Sequence, residues 1–417
     1  MMHRHGFPRY LAAAVAALLW LAPPAAAEEA GEGWKAGVAS ATITPEQPMW
    51  MAGYAARDKP SEGTAQDLFA KALALEDESG NRVVIVAVDV ITILTSLREA
   101  IEAEAEARYR LPPEALLLNA SHTHCGPEYR ERDGREAEAR AYHAFLEETL
   151  VALVGEALEA LAPARLTRSR ARAGFAMNRR LRTDGGYRIL PNPDGPVDHD
   201  VPVLMVRDPE GALRAVLFGY SCHSTTLNFY EFCGDYPGYA QEYLEADHPG
   251  ATALFLSGFG GDQNPYPRNN LVWAQRHGRT LATAVEAAMG ANPQPVRGPL
   301  RMALEEVTLQ RTGEDAGEVP YPVQVIRFGG DIMLVALPSE VVVDYALRLK
   351  RELPEGPMVW VAGYSNGSFG YIPSRRILEE GGYEAGPWEP TIEESIVAKV
   401  HELVGRLDGE NTPNAEE

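Results

Sequence analysis

The sequence is poor in cysteine. Only three occur among 417 residues, Cys125, Cys222 and Cys233. None of them forms a CxxC pair with another, which argues against a zinc site built from cysteine pairs. A disulfide between Cys222 and Cys233 would close a short loop in an oxidising compartment, whereas burial as small apolar residues is the alternative. The sequence leaves both readings open.

Basic residues are also in deficit, because 38 Lys and Arg stand against 59 Asp and Glu, giving a formal net charge of −21. A chain this acidic is not expected to bind nucleic acid or to dock electrostatically on anionic lipid. The charge says little about what else the protein contacts.

Long apolar stretches are missing beyond the amino terminus. There, two arginines precede a short apolar run and three alanines at 25–27. This layout is typical of a cleaved signal peptide, and the run is too short to span a bilayer comfortably. We therefore expect a signal peptide at residues 1–27, an exported (periplasmic or secreted) protein without a transmembrane segment, one domain over 28–407 and a disordered tail at 408–417.

Short apolar runs alternate with longer helix-like segments along the rest of the chain. This alternation predicts an α/β fold with a central, mostly parallel or mixed sheet flanked by helices. Residues 180–196 and 380–390 are rich in glycine, proline or aspartate and are predicted to be loops. Strands are expected at 82–88, 115–119, 201–206, 214–220, 251–256, 332–337 and 358–362, and helices at 96–109, 136–161, 270–289, 340–353 and 391–407.

Several predicted strands end in residues suited to chemistry. The segment SHTHCGP at 121–127 follows one of them, and histidines two apart on a strand point to the same side. His122 and His124 are thus candidate metal ligands, against the alternative of two loop histidines with unrelated hydrogen bonds. His223 closes another apolar strand and becomes a candidate ligand only if it meets His122 in space. Glu340, in LPSE, is more simply explained as an acidic residue in a first helical turn.

Two glycine-containing motifs are weaker evidence for a functional site. The segment GFGGDQNP at 258–265 could cradle an oxyanion with its backbone N–H groups, but it is also an ordinary strand-to-helix turn, and it lacks the GK[ST] of a nucleotide-binding loop. GYSNG at 363–367 matches GxSxG, yet the residues after it are poor helix formers, whereas a nucleophile elbow needs a helix there. We interpret that match as chance and keep a serine hydrolase using Ser365 as a rival.

Taken together, these segments resemble the neutral/alkaline non-lysosomal ceramidase family in its N-terminal catalytic domain. The resemblance includes AGVA at 36–39, ITP at 43–45 and MAGY at 51–54, continues to about Pro373 and is carried most specifically by SHTHxGP. It implies one Zn²⁺ ion. The ligands that it implies are His122, His223, Glu340 and Tyr371, with Tyr364 close to the last of these in the sequence.

The resemblance also implies roles for other residues. His124 would lie beside the metal and transfer protons, and Arg179, in an Asn-Arg pair, would line the site with Tyr371 and hold developing negative charge. Asp262 and Asn264 fall on the segment that binds substrate. Family members that cleave ceramide carry a serine where this chain has Asn264, and they have a C-terminal immunoglobulin-like domain that this sequence does not reach.

The resulting hypothesis is an exported zinc hydrolase that cleaves an amide, with a ceramide-like or related N-acyl lipid as the substrate that the resemblance implies. Zinc suits imidazole and carboxylate ligands and generates a nucleophile from water near neutral pH. Because Asn264 replaces the serine, we expect a substrate other than ceramide itself. The alternatives are a zinc hydrolase of esters or sugar-linked amides and a metal-bearing binding protein without turnover.

Overall fold

The computed structural model describes residues 1–3, 33–132 and 134–409. The predicted signal peptide therefore lies almost wholly outside the described residues, as does the predicted tail from residue 410 onward. No helix within the described ranges is long and apolar enough to cross a membrane.

The largest element is a nine-stranded mixed sheet. Its strands run in the order β12-β10-β9-β6-β1-β3-β4-β5, and β14 pairs with β6. The outermost pairs β10–β12 and β4–β5 are parallel, and the pairs between them are antiparallel. The strands are β1 (Trp34–Thr42), β3 (Phe69–Glu76), β4 (Arg82–Val88), β5 (Leu116–Ala120), β6 (Ala162–Arg172), β9 (Asp200–Arg207), β10 (Leu213–Tyr220), β12 (Thr252–Ser257) and β14 (Gln294–Pro295).

A second sheet has four strands in the order β15-β16-β17-β19, of which only the last pair is parallel. Smaller sheets join β2 to β11, β18 to β20, and β13 to the hairpin of β7 and β8. These strands are β2 (Gly63–Thr64), β7 (Ala176–Thr183), β8 (Gly186–Asn192), β11 (Glu231–Phe232), β13 (Gln263–Pro265), β15 (Leu300–Arg311), β16 (Gly317–Phe328), β17 (Ile332–Ala336), β18 (Glu340–Val341), β19 (Met358–Ala362) and β20 (Tyr371–Ile372).

The two large sheets pack face to face, and helices cover their outer faces. One apolar cluster between the sheets joins residues such as Leu217 and Leu254 to Leu334 and Trp360. Separate clusters join α1–α4 to the large sheet and α5 and α7 to the small one, which gives four layers. The helices are α1 (Thr95–Tyr109), α2 (Glu136–Glu159), α3 (Asp235–Asp247), α4 (Leu271–Gly290), α5 (Val343–Glu352), α6 (Arg375–Glu380) and α7 (Ile392–Asp408).

The predicted α/β fold with a mixed sheet is confirmed, and each of the seven predicted strands is present within two residues of its expected bounds. Two predictions were wrong. Residues 180–196 form most of the β7–β8 hairpin rather than a loop, because the many polar residues of its two strands give no apolar pattern, although part of β7 is buried. The helix expected from residue 340 begins at Val343, because Glu340 pairs with Tyr371 in a short parallel sheet.

Candidate active site

The carboxyl ends of β5, β10, β12, β17 and β19 face one region, which is where ligands gather in α/β folds. Isolated bridges link the segments that follow: Asn119 pairs with Ser365, and Thr123 pairs with Ser224. This convergence places the predicted histidines and Glu340 together, although His122, His223 and Glu340 are each more than 100 residues apart in the sequence.

His122 lies immediately after β5 in the left-handed backbone region, with φ of 57°. That conformation is uncommon for a residue other than glycine and is found at sites where the surrounding structure enforces it. Its Nδ1 lies 2.6 Å from the carbonyl oxygen of Ile91, so that nitrogen is the donor and Nε2 is left with a free lone pair. The Nε2 atom of His124 lies 3.1 Å from that of His122.

His223 is fully buried just beyond β10. Its Nδ1 lies 2.7 Å from the carbonyl oxygen of Gly260, which again leaves Nε2 as the acceptor. The predicted condition for His223 to act as a ligand is met, because the rings of His122 and His223 are 4.9 Å apart. A backbone carbonyl that fixes the tautomer of each imidazole is a common feature of metal-binding histidines.

Glu340 lies on β18, next to Ser339, which also has a left-handed backbone. Its Oε2 is 3.0 Å from Nε2 of His223 and 3.5 Å from Nε2 of His122. The interpretation of Glu340 as an acidic residue in a first helical turn is therefore wrong. Its side chain remains 20% exposed, so the cluster is open to a small ligand.

Tyr371 and Arg179 form the opposite side of the cluster. Nη2 of Arg179 donates to the Tyr371 hydroxyl over 2.9 Å, and Tyr371 pairs with Glu340 across the short parallel sheet. The other tyrosine considered from the sequence, Tyr364, has its ring 4.3 Å from that of His122. Both tyrosines thus line the site, and Tyr371 is the one that lies on the strand paired with Glu340.

The buried guanidinium of Arg179 is held by a carboxylate that sequence reasoning missed. Nε of Arg179 donates to Glu384 over 2.8 Å, and Nη1 of Arg180 donates to the other oxygen of Glu384 over 2.7 Å. Glu384 is 1% exposed, although it belongs to the glycine-rich segment at 380–390. Tyr383, beside it, was also missed; its ring lies 5.3 Å from that of Tyr371. A polar loop gives no local signal that one of its carboxylates is buried.

Asp262 and Asn264 are both buried but have different surroundings. Asp262 accepts hydrogen bonds from the backbone of Val343 over 2.8 Å and from Asn178 over 3.0 Å, so it supports the start of α5 and the β7 strand. Burial raises the pKa of Asp262 to about 6. Asn264 contacts the site itself, because its Oδ1 accepts from Nη1 of Arg179 over 3.2 Å.

Ser365 does not form a nucleophile elbow. It is fully buried, its Oγ contacts the carbonyl oxygen of Gly363 over 3.0 Å, and no helix follows it. A nucleophilic serine must present its hydroxyl to a substrate, so the serine-hydrolase rival loses its support.

The three cysteines form no disulfide bond. Cys125, Cys222 and Cys233 are each buried and unpaired, and burial raises the pKa of each thiol. Of the two readings that the sequence left open, the structure favours burial as small apolar residues.

The electrostatics of the cluster suit a bound cation. Burial, followed by Arg179, lowers the pKa of His223 to about 4, and burial, followed by the neighbouring histidines, lowers the pKa of His124 well below its usual range. Burial alone would raise the pKa of Glu340, but His122 and His223 hold it well below its usual value. The neutral state of His124 and His223 and the ionised state of Glu340 are the protonation states that metal ligands require.

The residues present fit a metal ion. Nitrogen atoms of His122, His124 and His223 lie within 4.8 Å of one another and could hold one. The hydroxyl of Tyr364, whose ring lies beside His122, is buried without a hydrogen-bond partner, as expected where a further ligand belongs. Imidazole and carboxylate donors suit zinc but also other divalent ions. The geometry allows either His124 or Glu340 as the third ligand beside His122 and His223.

Comparisons with known proteins agree with the resemblance. Residues 34–290 match the model of the neutral/alkaline non-lysosomal ceramidase N-terminal family. The fold is similar to the crystal structure of neutral ceramidase from Pseudomonas aeruginosa, with a TM-score of 0.77 and 19% identity over 93% of this chain and 76% of that one. A structure of a ceramidase complexed with C2 gives the same score and identity over 89% of this chain and 76% of that one. No curated protein sequence matches the chain.

Proposed function

Because the chain belongs to the neutral/alkaline non-lysosomal ceramidase family, we propose that it is a zinc-dependent hydrolase of a lipid N-acyl amide. We assign His122, His223, Glu340 and Tyr371 as the ligands of the zinc ion. The observation that carries the proposal is the meeting of Glu340 with both histidines, 3.0 Å and 3.5 Å away, in a partly exposed cluster.

The choice of Glu340 over His124 as the third ligand follows from charge. A carboxylate contributes a negative charge that offsets part of the charge of a divalent cation, and the set of two histidines and a glutamate is common in catalytic zinc sites. Tyr371 completes the set because it pairs with Glu340 across the short sheet and its ring lies 6.5 Å from that of His223. His124 then remains free for proton transfer.

Zinc supplies Lewis acidity when bound, which lowers the pKa of water and polarises a carbonyl group. The protein's own groups would do the rest. His124 is neutral near pH 7, so it can accept a proton from the attacking water and donate one to the nitrogen of the leaving amine. Arg179 is charged and buried, and it donates toward the oxygen that becomes negative as the tetrahedral intermediate forms.

Export to the periplasm or the medium belongs to the same proposal and is supported by the amino-terminal sequence pattern alone. The proposed identity of the substrate depends on Asn264. By the sequence resemblance, Asn264 stands where the family has a serine, and its Oδ1 accepts a hydrogen bond from Arg179, so we propose an amide lipid other than ceramide.

A panel of N-acyl substrates with one common acyl chain tests this function. The panel should contain ceramide, an N-acyl amino acid, an N-acyl amino sugar and the corresponding ester. We expect hydrolysis of at least one amide, loss of activity on chelation and recovery with added zinc. The Ser365→Ala variant should retain turnover.

Two results would contradict the proposal. Activity that survives chelation but is lost in Ser365→Ala would identify a serine hydrolase. Stable zinc binding without turnover of any amide or ester would instead identify a metal-bearing binding protein.

A further inference from the structure

A cavity lined with arginine lies beside the candidate active site. It has a volume of about 460 Å³ and opens between residues 50–57 and residues 128–135. Among the described residues that line it, one is acidic, Glu128, and four are basic: Arg57, Arg130, Arg132 and Arg135. A local excess of positive charge stands out in a chain whose net charge is −21.

Two of the four arginines already have structural partners. Arg57 donates to the carbonyl oxygens of His124 and Phe229 over 2.7 and 3.0 Å. These hydrogen bonds hold the loop that contains Arg57 against the backbone of His124. Arg130 donates to both oxygens of Glu128, over 2.7 and 2.6 Å. The single carboxylate of the cavity is therefore occupied.

The other two arginines are available to a ligand. Arg132 is 54% exposed, and within the described part of the chain the acidic oxygen that it approaches, 3.8 Å away, belongs to the Glu128 carboxylate that Arg130 already holds. The guanidinium carbon of Arg135 lies 3.3 Å from the ring centroid of Trp50, and among the described residues no acidic side chain lies within ion-pair distance of it. An arginine stacked on an aromatic ring keeps its edge N–H groups free to bind an anion in a bidentate manner.

Arg135 is the N-cap residue of α2, a helix of 24 residues, and its side chain makes no capping hydrogen bond. The partial positive charge of this helix terminus is already offset by Glu136 in the first turn, whose carboxylate accepts a hydrogen bond from the backbone N–H of Gly134 over 3.0 Å. A bound anion would therefore pair with the two arginines rather than with the helix terminus.

The cavity adjoins the catalytic histidine. Gly53 and Tyr54 line it, and the ring of Tyr54 lies 5.0 Å from that of His124. A Cβ atom at Gly53 would lie 2.5 Å from the His124 ring, so this loop rests directly on the imidazole. Burial lowers the pKa of Arg130, but Glu128 raises it, and Glu340 of the candidate metal site adds to the rise.

We propose that this cavity is a subsite for an anionic group of the substrate, with Arg132 and Arg135 as its charged ligands. The substrate class is then an N-acyl amide that carries a carboxylate, sulfonate or phosphate near the scissile bond. The inference that the bound anion belongs to a substrate rests on the proposed hydrolase function. The inference that the cavity binds an anion does not depend on that function.

Binding is tested with amphiphiles that contain no amide. The zinc-loaded protein is titrated calorimetrically with octyl sulfate, a weak ligand for zinc, and with neutral octyl glucoside. We expect octyl sulfate to bind about tenfold more tightly, a difference of about 1.4 kcal/mol. The Arg132→Gln/Arg135→Gln variant should lose this preference. The matched control, Arg108→Gln/Arg110→Gln, changes the same charge at the far end of α1 and should keep it.

Turnover is tested separately with N-octanoylglycine and its neutral amide, N-octanoylglycinamide. We expect kcat/KM to favour the charged substrate about tenfold in the wild type and not in Arg132→Gln/Arg135→Gln. A wild-type protein without preference for octyl sulfate, or a preference that survives in the variant, would overturn the subsite. An arginine-dependent preference for octyl sulfate without cleavage of either amide would support the anion subsite and contradict the assignment of its ligand as part of a hydrolysed N-acyl amide.

Discussion

The carboxylate of Glu384 is the most informative single group to change outside the metal cluster. Glu384→Gln keeps the size of the side chain and one acceptor oxygen but removes the negative charge between Arg179 and Arg180. Its two oxygens now accept from these arginines over 2.8 and 2.7 Å, and all three side chains are nearly inaccessible to solvent. The substitution therefore leaves two buried cations facing a neutral amide.

The expected cost is large. Removing one partner of a buried ion pair destabilises a protein by about 3–5 kcal/mol, because the remaining charge is left without compensation. Retention of one acceptor oxygen places Glu384→Gln at the lower end, about 3 kcal/mol. Arg179 should also lose its fixed orientation toward Tyr371, so we expect kcat to fall about 10–100-fold, the usual range for a misplaced charge-stabilising group.

Urea denaturation, steady-state kinetics and zinc analysis measure these effects together. Glu380→Gln is the matched control: Glu380 also contacts Arg180, at 3.1 Å, but it is 20% exposed and does not contact Arg179. We expect the control to lose no more than about 1 kcal/mol of stability and to keep its kcat. Wild-type stability and kcat in Glu384→Gln would refute the reasoning, and loss of zinc would show that Glu384 acts on the metal site.

Three further predictions concern other residues. His124→Ala should retain zinc and lower kcat, because its imidazole transfers protons in the proposed mechanism; loss of zinc in a metal analysis would instead make His124 a ligand. Asn264→Ser should introduce or raise ceramide hydrolysis in a lipid assay, because it restores the family hydroxyl beside Arg179, and unchanged hydrolysis would show that this residue does not decide the substrate. Burial raises the pKa of Glu102 to about 7, so its contribution to stability is full below about pH 4.5 and is lost as the pH rises through about 7. Glu102→Gln should therefore raise the free energy of unfolding at pH 8 by about 1–2 kcal/mol and leave it unchanged at pH 4, measured by denaturation at both values; an equal effect at both would contradict the assignment.

The sequence predicted the strands well for a physical reason. The strands β4, β10 and β17 are apolar along most of their length, with Arg82 and Arg214 near the exposed ends of β4 and β10, because both of their faces are buried, by helices on one side and by the facing sheet on the other. The apolar pattern does not show which strands are parallel. Nor does it show that two sheets are stacked, since neither property changes which residues of a strand are apolar. The β7–β8 hairpin was missed because its arginine-containing strands, of which β7 is partly buried and β8 is mostly exposed, carry little apolar signal.

The candidate site, like the fold, was predictable from the sequence only in part. His122 and His223 were predictable because each directly follows an apolar strand, and strand ends meet in α/β folds. Glu340 was assigned to a helix on sequence alone, and its place beside the histidines depends on the short pairing with Tyr371. Glu384 gave no local signal at all, because its burial depends on two arginines about 200 residues earlier in the chain.

His122 and His223 are proposed to bind the same metal ion, and the metal content of the purified protein tests this proposal most directly. Elemental analysis of the purified wild type should give about one zinc ion per chain, the stoichiometry of a mononuclear catalytic site. The His122→Ala/His223→Ala variant should contain none, whereas His248→Ala/His401→Ala, which removes two partly exposed histidines, should match the wild type. A wild type that holds no metal even after zinc is added, or a double variant that keeps its zinc, would contradict the account.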